Sequence, residues 1–262
     1  MSAEDLKQEE LLIGEYSYQL IPNAHKEVFK FFEHQHGYHK ITDRAQSTYQ
    51  RSSVASPLTK EHIHVLRNHI PPELCQSLIT EFEGDEQGIQ DPSVLKVLLP
   101  LVFTEEADEH IRSYFDSEYC VFWWSINKVQ IDDEEDWYST KWHCDGGPAR
   151  HLKLITYLNG HEEHGSDTGY LDEEATLALK EVGYIFNQVH ERNIDVAPLC
   201  QHFNISYQPM GLKANAGDTL IFNPNQLAHR VIAPKVGIPR YSLNLCLLPN
   251  EISVSYTHLT PP

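Results

Sequence analysis

The sequence predicts a mainly β protein with flanking helices, a sandwich or barrel closed by several short strands. Two observations carry this. After Ile205 the chain reads ISYQPM, DTLIFNP, LAHRVIAP and RYSLNLCLLP, four strand-like runs separated by Gly-, Pro- and Asn-rich turns. Helical periodicity is confined to the region before the strands and to one insert between them.

Residues 1–60 read as an extension of helix and loop. KEVFKFF, Lys26 to Phe32, is a short amphipathic helix candidate. His34 and His36 mark a surface helix end, and Gln50 to Ser56 is a polar loop. The domain itself is expected over 61–250. It opens on HIHVLRNHI, an alternating strand, which meets PPELCQSLITEFE, a helix with Pro at its start. His62 and His64 share a strand face with no acid nearby and are expected to be ordinary strand residues. Ser93 to Leu101 and Glu105 to Ser117 follow as helices, the second with an acidic first turn that suits its dipole. Cys120 to Ile131 is rich in aromatic and β-branched residues, as strands are. The acidic run Asp132 to Asp136 ends it as a solvated loop, because it lacks the spacing of a calcium loop. His151 to Asn159 alternates as a strand, and Gly165 to Leu171 reads as another. Glu173 to Arg192 is expected to be one helix, part of an insert over about 172–203 that would wall or cover a substrate pocket. Residues 251–262, ending SVSYTHLTPP, break the pattern and read as a tail of non-native sequence; His258 is given no role.

Composition limits the function classes. The chain has 262 residues, 20 Lys and Arg against 38 Asp and Glu, and a net charge of −18. Such a surface repels phosphate backbones, so nucleic acid is not an expected partner. No apolar run approaches the ~20 residues of a membrane span. The polar, acidic start MSAEDLKQEE lacks a secretory pattern, and the chain is expected to be cytoplasmic. Five scattered Cys form no CxxC pair, which argues for buried small hydrophobes rather than a disulfide framework or thiolate zinc site. The oligomeric state is not legible.

The chemistry concentrates in KWHCDGGP. At period 2, His143 at a strand end and Asp145 at the start of a turn can converge on one point, with Cys144 facing away. An imidazole and a carboxylate are two thirds of the two-His-one-carboxylate set that holds ferrous iron with open positions. Alone, the pair is more often a solvated strand end. The distant run AGDTLIFNPNQLAHRVIAPKVGIPRYSLNLCLLP supplies His229 and then Arg240-Tyr241-Ser242. A third ligand followed by a cationic fork is what an iron site with a dicarboxylate co-substrate requires. Arg230, beside His229, should face the opposite way. HEEH at His161 to His164 lacks the second His of a zincin helix at i+4, where Gly165 sits.

In these motifs, over about Ile63 to Pro249, the chain resembles the iron(II)- and 2-oxoglutarate-dependent dioxygenases, on their prolyl 4-hydroxylase-like side. The resemblance implies a double-stranded β-helix, the jelly roll of cupin-like proteins. It implies His143, Asp145 and His229 as metal ligands and catalytic centre. Arg240 and Ser242 would hold the far carboxylate of 2-oxoglutarate, with the hydroxyl of Tyr157, from the Tyr157-Leu158-Asn159 strand end, reaching a co-substrate carboxylate. The GSDTGYL run is similar to a Gly-x-x-Thr-x-aromatic strand of the family. The implied cofactors are Fe(II), 2-oxoglutarate and O2, and ascorbate is compatible. The implied reaction hydroxylates an unactivated C–H of a peptidyl residue, free amino acid or small metabolite while 2-oxoglutarate becomes succinate and CO2. The retained carboxylate ligand favours hydroxylation over halogenation. A non-catalytic cupin-like metal- or ligand-binding protein is the alternative, which Arg240 and Ser242 disfavour. A zinc hydrolase would need a general base that the sequence does not offer.

Overall fold

A computed structural model describes residues 8–22, 24–30, 33–34, 37–49, 55–84, 92–131, 138–184 and 189–251. His36, the Asp132–Asp136 run and the tail beyond Glu251 lie outside the described residues.

Two sheets position the site. Strands β3 (Ile63–Leu66), β4 (Glu118–Val129), β5 (Leu152–Tyr157), β8 (Thr219–Phe222) and β10 (Arg240–Asn250) form a five-stranded sheet in the order β3-β8-β5-β10-β4. Strands β6 (Asp167–Tyr170), β7 (Met210–Gly211) and β9 (His229–Ile232) form a second, in the order β7-β6-β9. All their pairings are antiparallel. Strand β10 shows how sequence alternation becomes two different faces. Tyr241, Leu243, Leu245 and Leu247 join a core with the helices α4 (Pro72–Gly84), α5 (Pro92–Val102) and α6 (Glu105–Phe115). The intervening residues Arg240, Ser242, Asn244 and Cys246 are equally buried on the opposite face. That face meets the second sheet over Ile155, Tyr157, Leu220 and Phe222, with Tyr170 packed against them. A central strand covered on both sides thus carries an apolar stripe and a polar stripe, and the polar one lines the interior between the sheets.

The expected helices Ser93 to Leu101 and Glu105 to Ser117 correspond to α5 and α6, and the strands of the core lie where the pattern places them to within a few residues. Three expectations change. The N-terminal extension contains a hairpin, β1 (Glu9–Ile13) with β2 (Tyr16–Leu20), turning at Gly14 with φ 61°. It is not an appendage: Tyr18 and Leu20 belong to a core with Trp142, Cys144, Leu171, Leu179 and Ala228. The insert helix is shorter than its periodicity suggests. α8 spans Glu173–Val182 and stops at Gly183, whose φ of 93° is a left-handed cap that only glycine adopts readily. Of ISYQPM, only Met210 enters a strand, because β7 pairs with β6 over two residues.

Candidate metal centre

The two halves of the site are joined by backbone. His143 and His229 form an isolated antiparallel bridge, N–H of His143 to O of His229 at 3.1 Å and the reciprocal bond at 2.8 Å. A residue pair exchanging both bonds places its side chains on the same side, and the imidazole centroids stand 4.5 Å apart. Asp145 is fixed by its N–H donating to the carbonyl of Pro224 at 2.9 Å. Its Oδ1 then lies 3.5 Å from His143 Nε2 and 3.7 Å from His229 Nε2. The three donor atoms fall within 4.8 Å of one another.

Each imidazole is oriented from behind. His143 Nδ1 lies 2.7 Å from the carbonyl of Lys141, and His229 Nδ1 lies 3.0 Å from that of Leu227. Donation from Nδ1–H to a carbonyl fixes the tautomer with the lone pair on Nε2, the arrangement usual behind metal-bound His. Burial, followed by the proximity of His143, pulls the His229 pKa from 6.5 down to about 3, so the ring is neutral at physiological pH. Burial alone would raise the Asp145 carboxyl. The Lys153 ammonium, 2.6 Å from Oδ2, and the two imidazoles hold it well below the usual carboxylate range instead. Two imidazole nitrogens and one charged oxygen on one side of an open point are a donor set that fits a divalent transition metal such as iron(II).

The turn after Asp145 is held by buried amides. Asn225 donates to the carbonyls of Gly147 at 3.0 Å and Pro148 at 2.6 Å, and Asn223 donates to that of Ala149 at 2.8 Å. Gly147, at φ 154°, lies against the His151 ring, which a Cβ there would approach to 3.2 Å.

Deeper in the interior, Arg240 is only 4% exposed. Its Nε has no partner, and Nη1 makes only long bonds to Ser166 Oγ at 3.4 Å and the Asp167 carbonyl at 3.3 Å. Among the described residues no carboxylate lies within ion-pair distance of it. A buried guanidinium so weakly bonded is a ready receptor for a carboxylate. Arg240 stands 5.8 Å over the Tyr157 ring, and the Tyr157 hydroxyl donates to Thr168 Oγ1 at 2.6 Å. Ser242 pairs with Tyr157 across β10 and β5, and its Oγ accepts from Asn244 at 3.2 Å. Thr168 lies on the same face of β6 as Tyr170, which pairs with His229 in β9. The clamp and the triad therefore share one interior.

The side chain of Arg230 is turned away, as alternation requires: it donates to the carbonyl of Ile194 at 2.7 Å and sits 5.0 Å over the Trp142 ring. Cys144 is buried in the core with the N-terminal hairpin. Two expectations are corrected. His62 precedes β3 at φ 58° and its Nε2 meets Glu173 Oε1 at 3.1 Å. His64 is not without an acid: Glu106 and His110, brought by α6, lie with it within 4.8 Å. Sequence reasoning also missed Lys153. A lysine on an alternating strand carries no signal of a buried role, but this one sits on the interior face of β5, opposite Phe222 and Cys246.

No protein-family model matches the sequence, and no curated protein does. Among solved structures, the chain is similar to EctD from S. alaskensis with bound Fe, at 12% identity over 82% of this chain and 86% of that chain, TM-score 0.54. The form of EctD with 2-oxoglutarate and 5-hydroxyectoine gives 11% identity over 77% and 80%, TM-score 0.52. The epimerase SnoN in complex with Fe3+, alpha ketoglutarate and nogalamycin RO gives 8% identity over 79% and 83%, TM-score 0.51. At such identities the likeness establishes the fold, a cupin-type jelly roll.

Proposed function

We propose that the chain is an Fe(II)- and 2-oxoglutarate-dependent oxygenase. It would oxidise an unactivated C–H of a small metabolite, free amino acid or peptidyl residue, with O2 as second co-substrate. The observation that carries the reading is Arg240: a buried cation with an unpartnered Nε, sharing one interior with a two-His-one-carboxylate cluster. A cupin-like binding protein with a structural metal has no use for such a clamp. The neighbours support the same reading, since EctD is described with Fe and with 2-oxoglutarate, and SnoN with both. Their bound small molecules, 5-hydroxyectoine and nogalamycin RO, favour a small-molecule substrate over the peptidyl one suggested by the prolyl 4-hydroxylase-like motif.

In this reading the residues have separate tasks. His143 Nε2, Asp145 Oδ1 and His229 Nε2 would hold an iron(II) ion. Bound iron(II) would let O2 oxidise 2-oxoglutarate to succinate and CO2, one oxygen atom entering succinate and the other the substrate C–H bond. The carbonyls of Lys141 and Leu227 keep the imidazoles oriented. Lys153 occupies Asp145 Oδ2, so that Oδ1 is the oxygen that would be offered to the metal. Arg240 takes the far carboxylate of 2-oxoglutarate, with Tyr157 and Ser242 as further hydroxyl contacts. The low exposure of the clamp keeps water from competing for it.

Anaerobic addition of Fe(II) and 2-oxoglutarate should give a weak visible charge-transfer band, and aerobic succinate release then screens candidate substrates. Asp145→Ala should lose iron and the band together. Arg240→Lys should keep iron but raise the concentration of 2-oxoglutarate needed by about 10- to 100-fold, the worth of one charge-assisted hydrogen bond. A band of unchanged strength and affinity in both variants contradicts the proposal.

A further inference from the structure

A second cluster lies on the other side of the same sheet. His64 in β3 pairs with Ile221 of β8, which pairs with Leu154 of β5. Ile221 and Leu154 belong to the helix-covered core, so His64 faces the helices, away from the interior that holds Arg240 and the triad. Glu106 and His110 approach it from α6, where they stand one turn apart at i and i+4 and project from one face. The His64 and His110 rings are 4.4 Å apart, edge to face. His64 Nε2 and His110 Nδ1 are both shielded from solvent and have no hydrogen-bond partner. Two buried, unsatisfied ring nitrogens side by side are costly unless something bridges them. Glu106 is exposed and opens the cluster to solvent.

We propose that His64, Glu106 and His110 bind a second divalent transition-metal ion, Zn2+ in the first instance, which ties α6 to the edge strand β3. Imidazole donors select such an ion over Ca2+ or Mg2+. One donor atom from each residue lies within 4.8 Å of the others. A tetrahedral zinc with Zn–N near 2.05 Å holds its ligand atoms roughly 3.3 Å apart, so each pair of donors would draw together by at most about 1.5 Å. Three protein ligands leave one position for water. The proposal is independent of the oxygenase reading, because the two clusters share no residue.

Metal-free protein loaded with excess Zn2+, desalted and weighed by native mass spectrometry, tests it. The intact chain should carry one zinc ion more than His110→Ala, whatever the triad holds. In the Asp145→Ala variant, zinc should still raise the melting temperature, and adding His110→Ala should remove that rise. Glu106→Gln, an exposed change that the fold tolerates, should weaken the second zinc by about tenfold or more. An intact chain and His110→Ala holding the same number of zinc ions, or an Asp145→Ala chain holding none, overturns the proposal. If His110→Ala does not fold, Glu106→Gln decides: unchanged affinity for the second zinc overturns it equally.

Discussion

Lys153 shows what a single residue decides at this site. It neutralises one oxygen of Asp145 at 2.6 Å and leaves the other directed at two imidazoles. Lys153→Met is expected to free Oδ2 and raise the Asp145 pKa, so that iron binding weakens most at acid pH; metal titrations at pH 6 and pH 8 read this as a loss larger at about pH 6. His229 sets a second pH dependence, in the metal-free protein. Its pKa is 6.5 ordinarily and about 3 when folded, so unfolding takes up a proton between those values. The stability it contributes is complete above 6.5 and is lost as the pH falls towards 3. Urea unfolding should show a loss of roughly 2 kcal/mol between about pH 7 and pH 5 from this group, and His229→Gln should flatten that part of the profile. These two partners and pKa shifts could not be read from the sequence, because Lys153 looks like any solvated strand residue until Asp145 is placed beside it.

At the scale of elements, the insert and the N-terminal hairpin turn out to be one structural unit. The main-chain N–H of Ile21 donates to the carbonyl of Gly183 at 2.8 Å, and a Cβ on Gly183 would stand 2.3 Å from the Ile21 carbonyl carbon. Gly183→Ala combines that clash with a left-handed φ and should cost about 2–4 kcal/mol, measured by chemical denaturation. Trp142, Cys144 and Ala228 sit under the same unit, immediately beside the residues of the triad. From the sequence, the insert is expected to wall or cover a substrate pocket. Its buried Ala175, Leu179 and Leu199 argue that deleting it would unfold the protein rather than merely abolish turnover. The α8 terminus was legible in principle, since Gly183 follows the last apolar position; helical periodicity beyond it concealed the stop. The hairpin was legible too, in the Gly14-Glu15 turn between alternating runs.

For the whole molecule, charge and sheet architecture act separately. A net charge of −18 repels itself at every distance shorter than the screening length. Raising NaCl from about 20 mM to about 200 mM shortens that length from roughly 20 Å to 7 Å. The melting temperature of the metal-free protein should therefore rise with salt, and a fall would show that specific ion pairs outweigh the general repulsion. Among the described residues no helix is long and apolar enough to cross a membrane.

The sequence by itself determined the strand periodicity, the residue types His143, Asp145, His229, Arg240 and Ser242, and the alternation that sends Arg230 and Cys144 the other way. Those are properties of local order: a period of two, a turn after Asp145, a cation after the third ligand. Only the tertiary structure decided that His143 and His229 would exchange backbone hydrogen bonds, that Lys153 would guard Asp145, and that Glu106 and His110 would meet His64 across a sheet and a helix. Such contacts join segments tens of residues apart. They depend on which strand lies next to which, and a linear pattern does not encode that order residue by residue.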